Sequence, residues 1–284
     1  MTNEAVLPPV VDPRLDFQAA WREWHRRHEE VRADPHGFLA VTGLHWLTSV
    51  PQRFPDVPGE WHTGDDGPVV ALGEDELLVV DGRQGRGRHE FGPIAERAGV
   101  TVGLDAGVLE VARRGGHDIL RPRRPDHPLR VGYRGTSSYP ADHRWVVSGR
   151  FVPFDSPRPT TVGAAVEGLA HVYDAPGQIE FAVDGVPLRL TAFNGVAPGS
   201  LSVLFTDATS GVTTYPANRS LAVAAPDERG RVTLDFNRAT NLPCAYTDFA
   251  TCPLPPAENR LPIAVEAGEK TPYERLSADS AARS

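Results

Sequence analysis

Polar side chains that could bind or transform a small molecule are concentrated near the carboxyl end of this 284-residue chain. Four of its six asparagines, Asn218, Asn237, Asn241 and Asn259, lie within 42 residues. Asparagine both donates and accepts hydrogen bonds, so it can hold irregular backbone or bind a polar ligand. We therefore place a candidate pocket in residues 207–270. Its candidate substrate-binding residues are Asp207, Tyr215, Arg219, Asn237, Asn241, Cys244 and Asn259.

The same segment carries carboxylates and a cation suited to acid–base chemistry. Its candidate catalytic residues are Asp235, Glu258, Glu269 and Lys270. Two carboxylates held close together raise the pKa of one of them, which lets it act as a general acid near neutral pH. The alternative is that Arg219, Arg260 and Lys270 neutralise these carboxylates in a buried network that only holds the segment in place.

Lys270 is the only lysine among 29 basic residues. Its compact ammonium group can make contacts that the planar guanidinium of arginine cannot imitate. We expect Lys270 to form an ion pair, either with a carboxylate of this segment or with a substrate, rather than to act as an amine nucleophile.

The chain has two cysteines, Cys244 and Cys252, which are too few for a disulfide framework. Cys244 is either a nucleophile activated by a histidine that folding brings near it, or a filler of a small core gap. His45 and His171 lie in apolar runs and are the histidines to test. The two cysteines lack CxxC spacing, and no cofactor motif is present, so we predict no disulfide, metal or cofactor.

Composition narrows the classes of partner. A net charge of −8 argues against binding to a nucleic-acid backbone. No apolar run approaches the roughly 20 residues of a membrane span, and the first residues lack a basic segment followed by an apolar one. We therefore expect a cytoplasmic protein that binds a small molecule and neither nucleic acid nor membrane. The sequence leaves open whether the protein forms a homodimer.

The elements that must position these residues are mainly β. Residues 14–33 have apolar and aromatic residues at helical spacing among charges, which predicts one amphipathic helix. From residue 36 to 236, short β-rich runs alternate with turns, as expected from 27 glycines and 27 prolines. The fold class we predict is an antiparallel barrel or sandwich with this N-terminal helix. An ordered, proline-rich C-terminal segment closes it. The arginine-rich residues 112–134 are expected to form a connection or an exposed edge.

We predict one domain over residues 14–271, built from β halves at about 36–130 and 131–271, and a flexible tail over 272–284. Without βαβ alternation, doubly wound nucleotide-binding folds are excluded.

The run from Val232 to Lys270 and the preceding FTDATSGVTTYPANRSL resemble the signature of the bacterial family called domain of unknown function 1684. The resemblance covers about residues 14–271 and extends to FLAVTGLHWL and HVYDAPGQIEFAVDG. This chain differs from the family signature at two positions. It has Leu242 where we expect proline and Asn218 where we expect glycine. The positions that match the motif are Asp207, Thr209, Thr214, Tyr215, Arg219, Asp235, Phe236, Asn237, Asn241, Pro243, Cys244, Cys252, Pro253, Pro255, Pro256, Glu258, Asn259, Leu261, Gly268, Glu269 and Lys270. The resemblance implies no particular activity.

Two functions from different classes compete. The leading hypothesis is a small-molecule enzyme with hydrolase-like acid–base chemistry in the pocket of residues 207–270. The alternative is a non-catalytic β module that binds a small ligand or acts as a scaffold. A solvent-open pocket with convergent polar groups favours the enzyme, whereas a closed, fully paired network favours the module.

Overall fold

The computed structural model describes residues 13–276 of the chain. Its first element is helix α1, Pro13–Arg32, which confirms the predicted helix. Asp16 in the first turn and Arg32 in the last have the signs that complement the helix dipole. Arg32 is buried, and Trp21, Trp24, His25 and His28 are half-buried, so one face of α1 packs on the body of the protein. Within residues 13–276 no helix is long and apolar enough to cross a membrane.

The N-terminal half contains two antiparallel sheets. One has the strand order β1-β10-β9-β8-β5-β6 and the other β2-β3-β4-β7. Trp61, Leu109 and Leu120 are fully buried in their shared core. The strands are β1 (His45–Trp46), β2 (Gln52–Phe54), β3 (Val57–Gly64), β4 (Gly67–Ala71), β5 (Leu78–Val80), β6 (Arg83–Gly85), β7 (Arg88–Glu90), β8 (Gly99–Leu104), β9 (Gly107–Arg114) and β10 (His117–Arg123).

The prediction of a connection or exposed edge over residues 112–134 is wrong for its first part. Strand β9 ends at Arg114, and β10 pairs with it from His117 to Arg123. In the sheet, β10 therefore lies between β9 and β1 and is not an exposed edge. The arginines are tolerated there because Arg114, Arg121 and Arg123 all donate to the carboxylate of Glu110. After this hairpin the chain continues into the short helix α2 (Pro128–Gly132).

The C-terminal half is one antiparallel sheet with the strand order β15-β14-β13-β12-β11-β16. Its longest pair, β11 and β12, has a register shift between Pro153 and Arg158. Such a bulge bends a strand, and the sheet curls into a half-barrel. The predicted mainly β, antiparallel fold class is therefore confirmed. The strands are β11 (Val146–Gly163), β12 (Ala170–Val183), β13 (Val186–Asn194), β14 (Leu201–Phe205), β15 (Arg219–Val223) and β16 (Arg231–Asp235).

The segment after β16 is irregular but ordered, as its prolines predict. It has three short 3-10 turns and sends Leu261, Val265 and Ala267 into the core of the C-terminal sheet. The tail predicted over residues 272–284 is described by the structure only as far as residue 276. Leu276 donates its backbone N–H to the Tyr246 carbonyl at 2.8 Å, whereas residues 277–284 lie outside the described residues.

Candidate functional site

Asp207 and Arg219 form a buried ion pair in the predicted pocket. Arg219 begins β15 and is 1% exposed. Its Nη2 donates to Asp207 Oδ2 at 2.7 Å and to the Val265 carbonyl at 3.0 Å, and its Nη1 donates to the Ala267 carbonyl. Asp207 Oδ1 accepts from both the backbone N–H and the hydroxyl of Thr209. These partners are internal, so the pair fastens the C-terminal segment to β15.

Asn259 and Glu258 fasten the same segment to β13 and β14. Asn259 is fully buried, and its Nδ2 donates to the carbonyls of Thr191 at 2.9 Å and Leu204 at 2.8 Å. Its Oδ1 accepts from the Thr191 backbone N–H at 2.7 Å. Glu258 is exposed and accepts from the Thr191 hydroxyl at 2.9 Å. These contacts connect the C-terminal segment to the two strands and do not form a pocket.

Glu269 is buried beneath helix α1. Its Oε1 accepts from Arg32 Nη2 at 2.7 Å and lies 3.5 Å from His28 Nε2, while Oε2 accepts from the Asn241 backbone N–H at 2.6 Å. Burial opposes the charge of this carboxylate. His28, Arg32 and the Asn241 amide outweigh that effect and lower the pKa of Glu269. Glu269 is therefore ionised at neutral pH, which suits an ion pair and not a general acid.

A second set of polar groups continues this network around Arg32. Its Nη1 donates to Thr136 Oγ1 at 2.8 Å and to Glu29 Oε1 at 3.1 Å. The hydroxyl of Thr136 also contacts the hydroxyls of Tyr133 at 2.8 Å and Tyr246 at 2.7 Å. Burial raises the pKa of both tyrosines, so they stay neutral and act only through hydrogen bonds.

His25 and Ser138 lie where this network reaches the surface. Ser138 Oγ is 3.5 Å from His25 Nε2, and Glu29 Oε1 is 3.6 Å from the same nitrogen. The His25 side chain is 23% exposed, and Ser138 is half-buried. Ser138 also pairs with Glu269 in an isolated antiparallel bridge, which fixes its backbone beside the buried carboxylate. A serine, a histidine and a carboxylate thus meet at a partly open position.

Neighbouring backbone groups are hydrogen-bonded by the side chains of Asp235, Asn237 and Asn241. Asn237 accepts from the Asp142 N–H at 2.9 Å and donates to the Asp142 carbonyl at 3.0 Å. Asp235 accepts from Asn237 Nδ2 at 2.9 Å and pairs with Arg238 Nε at 3.1 Å. Asn241 Nδ2 donates to the Lys270 carbonyl at 2.8 Å. Asp235 therefore stands apart from Glu269 in its hydrogen bonding and shares no proton with it.

An open cleft of about 1070 Å³ lies beside the segment that Asn237 holds. The first turns of α1 form one wall, and residues 139–145 form the other. Gln18 crosses between them and donates to the Ala141 carbonyl. The side chains that line the cleft include Asp16, Phe17, Tyr139, Asp142, His143, Trp145 and Glu266.

Lys270 lies at the edge of this wall. Its Nζ is 4.5 Å from the centre of the Tyr139 ring, a cation–π distance. Among residues 13–276 no carboxylate lies within ion-pair distance of Lys270, so the expected ion pair within the segment is not found. The Lys270 ammonium group is therefore available to interact with a ligand or with solvent.

We predict that Lys270→Arg changes the free energy of unfolding by no more than about 0.5 kcal/mol, because a guanidinium also stacks on an aromatic ring. Lys270→Met removes the cation and should cost about 0.5–1 kcal/mol. Urea unfolding of both variants measures the difference. A loss of several kcal/mol in Lys270→Arg would contradict this geometry.

Cys244 and Cys252 are buried, free thiols. Cys252 Sγ accepts from the Cys244 backbone N–H at 3.3 Å, and a hydrogen bond from Cys252 lowers the pKa of Cys244. Tyr215 donates to the Cys244 carbonyl at 2.7 Å, and burial raises the pKa of that tyrosine to about 12. Neither predicted histidine is shown in contact with Cys244, since His45 pairs with Asp56 and His171 with the Thr251 carbonyl. These contacts favour Cys244 as a core filler.

The predicted catalytic residues thus fall into separate surroundings: Glu269 under α1, Asp235 beside Arg238, Glu258 against Thr191 of β13, and Lys270 over Tyr139. In the described part of the chain no three His, Cys, Asp or Glu side chains are grouped to hold a metal ion. Sequence reasoning missed the residues that form the network around Glu269 and lead from it to the surface, which are His25, His28, Glu29, Arg32 and Ser138. The available signal was the polar stripe at positions 25, 28, 29 and 32 within the predicted helix.

Residues 131–270 match the model of a family described as protein of unknown function, DUF1684. The match begins later than the resemblance expected over residues 14–271. Among solved structures, the chain is similar to an uncharacterised protein of Haloarcula marismortui, determined by solution NMR, at 30% sequence identity. The similarity covers 50% of this chain and 80% of that chain, with a TM-score of 0.42. A comparison with curated proteins gives no match. Through its residues 131–270, the chain belongs to the DUF1684 family.

Proposed function

We propose that the protein binds a small polar molecule in the cleft between α1 and residues 139–145. The cleft volume of about 1070 Å³ is at the upper end of the range of small-ligand pockets. Phe17 and Trp145 offer apolar surface, while Asp142, His143 and Glu266 offer charge and hydrogen bonds. Such a mixture suits a small molecule with an apolar part and a few polar groups.

The observation that carries this proposal is that residues of the family motif hold the wall of the cleft. Asn237 makes two hydrogen bonds to the backbone of Asp142, and Lys270 lies over the ring of Tyr139. The Tyr139 backbone N–H also donates to the Gly268 carbonyl at 2.9 Å. The motif thus acts by positioning a neighbouring surface. This supports the binding module over an enzyme whose catalytic groups are Glu258, Glu269 and Asp235.

Two neighbouring alanines of α1 provide a matched test. Ala19 and Ala20 are both exposed, but only Ala20 is among the residues that line the cleft. Ala20→Trp should fill the cleft, whereas Ala19→Trp adds the same side chain to the same helix outside it. Mixtures of small polar metabolites would be screened against the wild-type protein by ligand-observed NMR.

We expect compounds that bind wild type to keep their affinity in Ala19→Trp and to lose at least tenfold in Ala20→Trp. Equal affinity in the two variants would place the ligand elsewhere. A screen without binders would count against a small-molecule function.

A second candidate, a hydrolase-like enzyme, is favoured by the contact between Ser138 and His25. Catalytic hydrogen bonds are often long without substrate, and the 3.5 Å separation fits that pattern. In the proposed step, Ser138 Oγ attacks the substrate carbonyl carbon as its proton passes to His25 Nε2, and the carbonyl electron pair moves to oxygen. When that pair returns, the leaving group departs with the proton from His25. Water then repeats the sequence to release Ser138. Glu29 would attract the imidazolium.

A fluorophosphonate probe tests this candidate because it labels activated serines covalently. We expect one label on wild type, none on Ser138→Ala and much slower labelling of His25→Gln. Ser137→Ala is the matched control, since Ser137 is a half-buried neighbour whose backbone carbonyl, not its side chain, accepts from the Lys270 backbone N–H at 2.8 Å. Labelling that persists in Ser138→Ala, or none on wild type, would rule the candidate out.

The setting that we propose is the bacterial cytoplasm, where thiols stay reduced. We therefore predict two free thiols per chain when the protein is unfolded without reductant and titrated with a thiol reagent. In the folded protein the reaction should be slow, because Cys244 and Cys252 are 2% and 7% exposed. Finding no free thiol would contradict both the compartment and the absence of a disulfide.

A further inference from the structure

A small cavity that shares no lining residue with the cleft lies where the two halves of the protein meet. Its volume is about 200 Å³. The N-terminal half contributes three arginines to its lining, and the C-terminal half contributes a histidine, a tyrosine and a cysteine. These residues are Arg97, Arg114, Arg121, His171, Tyr173 and Cys252.

Positive charge is in excess around this cavity. Glu110 is the carboxylate that Arg114 and Arg121 share, with contacts of 2.9 and 2.7 Å, and Arg123 donates to it as well. Burial and the charge of Arg121 lower the pKa of Arg114, as expected where guanidinium groups crowd together. Arg97 makes no ion pair within the described residues.

The other carboxylate near the cavity is already occupied. Glu96 accepts from the backbone N–H groups of Gly115 at 2.8 Å and Gly116 at 2.9 Å. Arg97 lies over the Tyr173 ring, 4.5 Å from its centre, and has a positive φ of 69°. Its guanidinium therefore remains available to an anion that enters the cavity.

His171 is the second observation that points to a ligand. The residue is 3% exposed, and its Nε2 lies 2.8 Å from the Thr251 carbonyl oxygen. A carbonyl can only accept, so Nε2 carries a proton. The other ring nitrogen, Nδ1, is buried without a hydrogen-bond partner in the described structure, and Glu96 Oε1 is 3.8 Å away. Buried polar atoms are normally paired, so Nδ1 is free to form a hydrogen bond with a group bound in the cavity.

We propose that this cavity binds a phosphate group, either free inorganic phosphate or the phosphate group of a small metabolite. Arg97 supplies a forked donor that matches such an anion, and Arg114 and Arg121 add positive charge to the cavity lining. His171 Nδ1 would accept from a protonated phosphate oxygen. The cavity volume admits one such group.

Titration calorimetry with sodium phosphate, at constant pH and ionic strength set with sodium chloride, tests the proposal. Arg97→Gln removes an exposed guanidinium that has no ion pair among the described residues, so folding should be preserved. Arg229→Gln is the control, because Arg229 is exposed and is not among the residues that line the cavity. We expect saturable binding to wild type and Arg229→Gln, and at least a tenfold weaker affinity in Arg97→Gln.

Glycerol 2-phosphate separates the two sources of the anion. Weaker binding than phosphate would assign the site to the free ion, and equal or tighter binding would assign it to a phosphate ester. His171→Gln, which keeps a donor for the Thr251 carbonyl, should also weaken binding. No saturable phosphate binding to wild type, or the same affinity in Arg97→Gln and Arg229→Gln, would overturn the proposal.

Discussion

Replacing Arg219 by lysine is expected to lower the free energy of unfolding by about 3–5 kcal/mol, because it breaks a buried, hydrogen-bonded ion pair. One guanidinium now reaches Asp207 and the carbonyls of Val265 and Ala267 together. A lysine ammonium has three donors on a single atom and cannot span the same fork. Either Asp207 or the carbonyls of the C-terminal segment would lose a partner in a place that water does not reach.

Urea unfolding measures this loss, with Arg229→Lys as the exposed control in the same half of the protein. The control should change stability by no more than about 0.5 kcal/mol. Equal midpoints for the two variants would show that the Asp207 pair does not fasten the segment. Arg219 contacts only internal groups in the structure. We therefore expect Arg219→Lys to reduce the free energy of ligand binding in the cleft by less than it reduces the free energy of unfolding.

Local patterns in the sequence were sufficient to predict much of the fold. Helix α1 follows from apolar spacing, and the predicted end of the strand pattern at residue 236 lies within one residue of the end of β16 at Asp235. The error over residues 112–134 came from treating arginine as a marker of exposure. Glu110 reverses that expectation, because one carboxylate that accepts from three arginines allows charged strands inside a sheet.

The candidate site could be predicted only in part, since its contacts join distant positions. Glu269 was singled out from its motif, but its partner Arg32 is 237 residues earlier in the chain. Nothing in the spacing around Glu269 indicates a helix at the other end of the sequence. The same holds for Ser138 and His25, which are 113 residues apart. Residue types identified groups capable of chemistry, while topology decided which of them meet.

A motif dense in polar residues can therefore have a structural purpose. Asn259, Asn237 and Arg219 each satisfy backbone groups that an irregular, proline-rich segment cannot pair by itself. Side-chain amides and guanidinium groups replace the missing ladder of a strand. This accounts for the concentration of asparagine in the segment without assigning catalysis to it.

Glu269→Gln should produce the second large effect, a loss of about 3 kcal/mol at neutral pH, because buried Arg32 would lose the closer of its two carboxylates and keep only Glu29. The pH dependence identifies the cause. The folded pKa of Glu269 lies below its ordinary value of 4.5, so between those two values the unfolded chain binds more protons. This contribution to stability is therefore complete above pH 4.5 and is lost as the pH falls through the lowered pKa.

Unfolding free energies measured from pH 7 downward should show a shallower acid limb in Glu269→Gln than in wild type. Glu266→Gln is the matched control, since the Glu266 side chain is 57% exposed and its nearest cation, Arg144, is 3.7 Å away. It should keep the wild-type slope. If Glu269→Gln also kept that slope, the carboxylate would not be bound more tightly as an anion in the folded state, and the attachment of α1 to the C-terminal segment would have to depend on packing around Trp21 and Trp24.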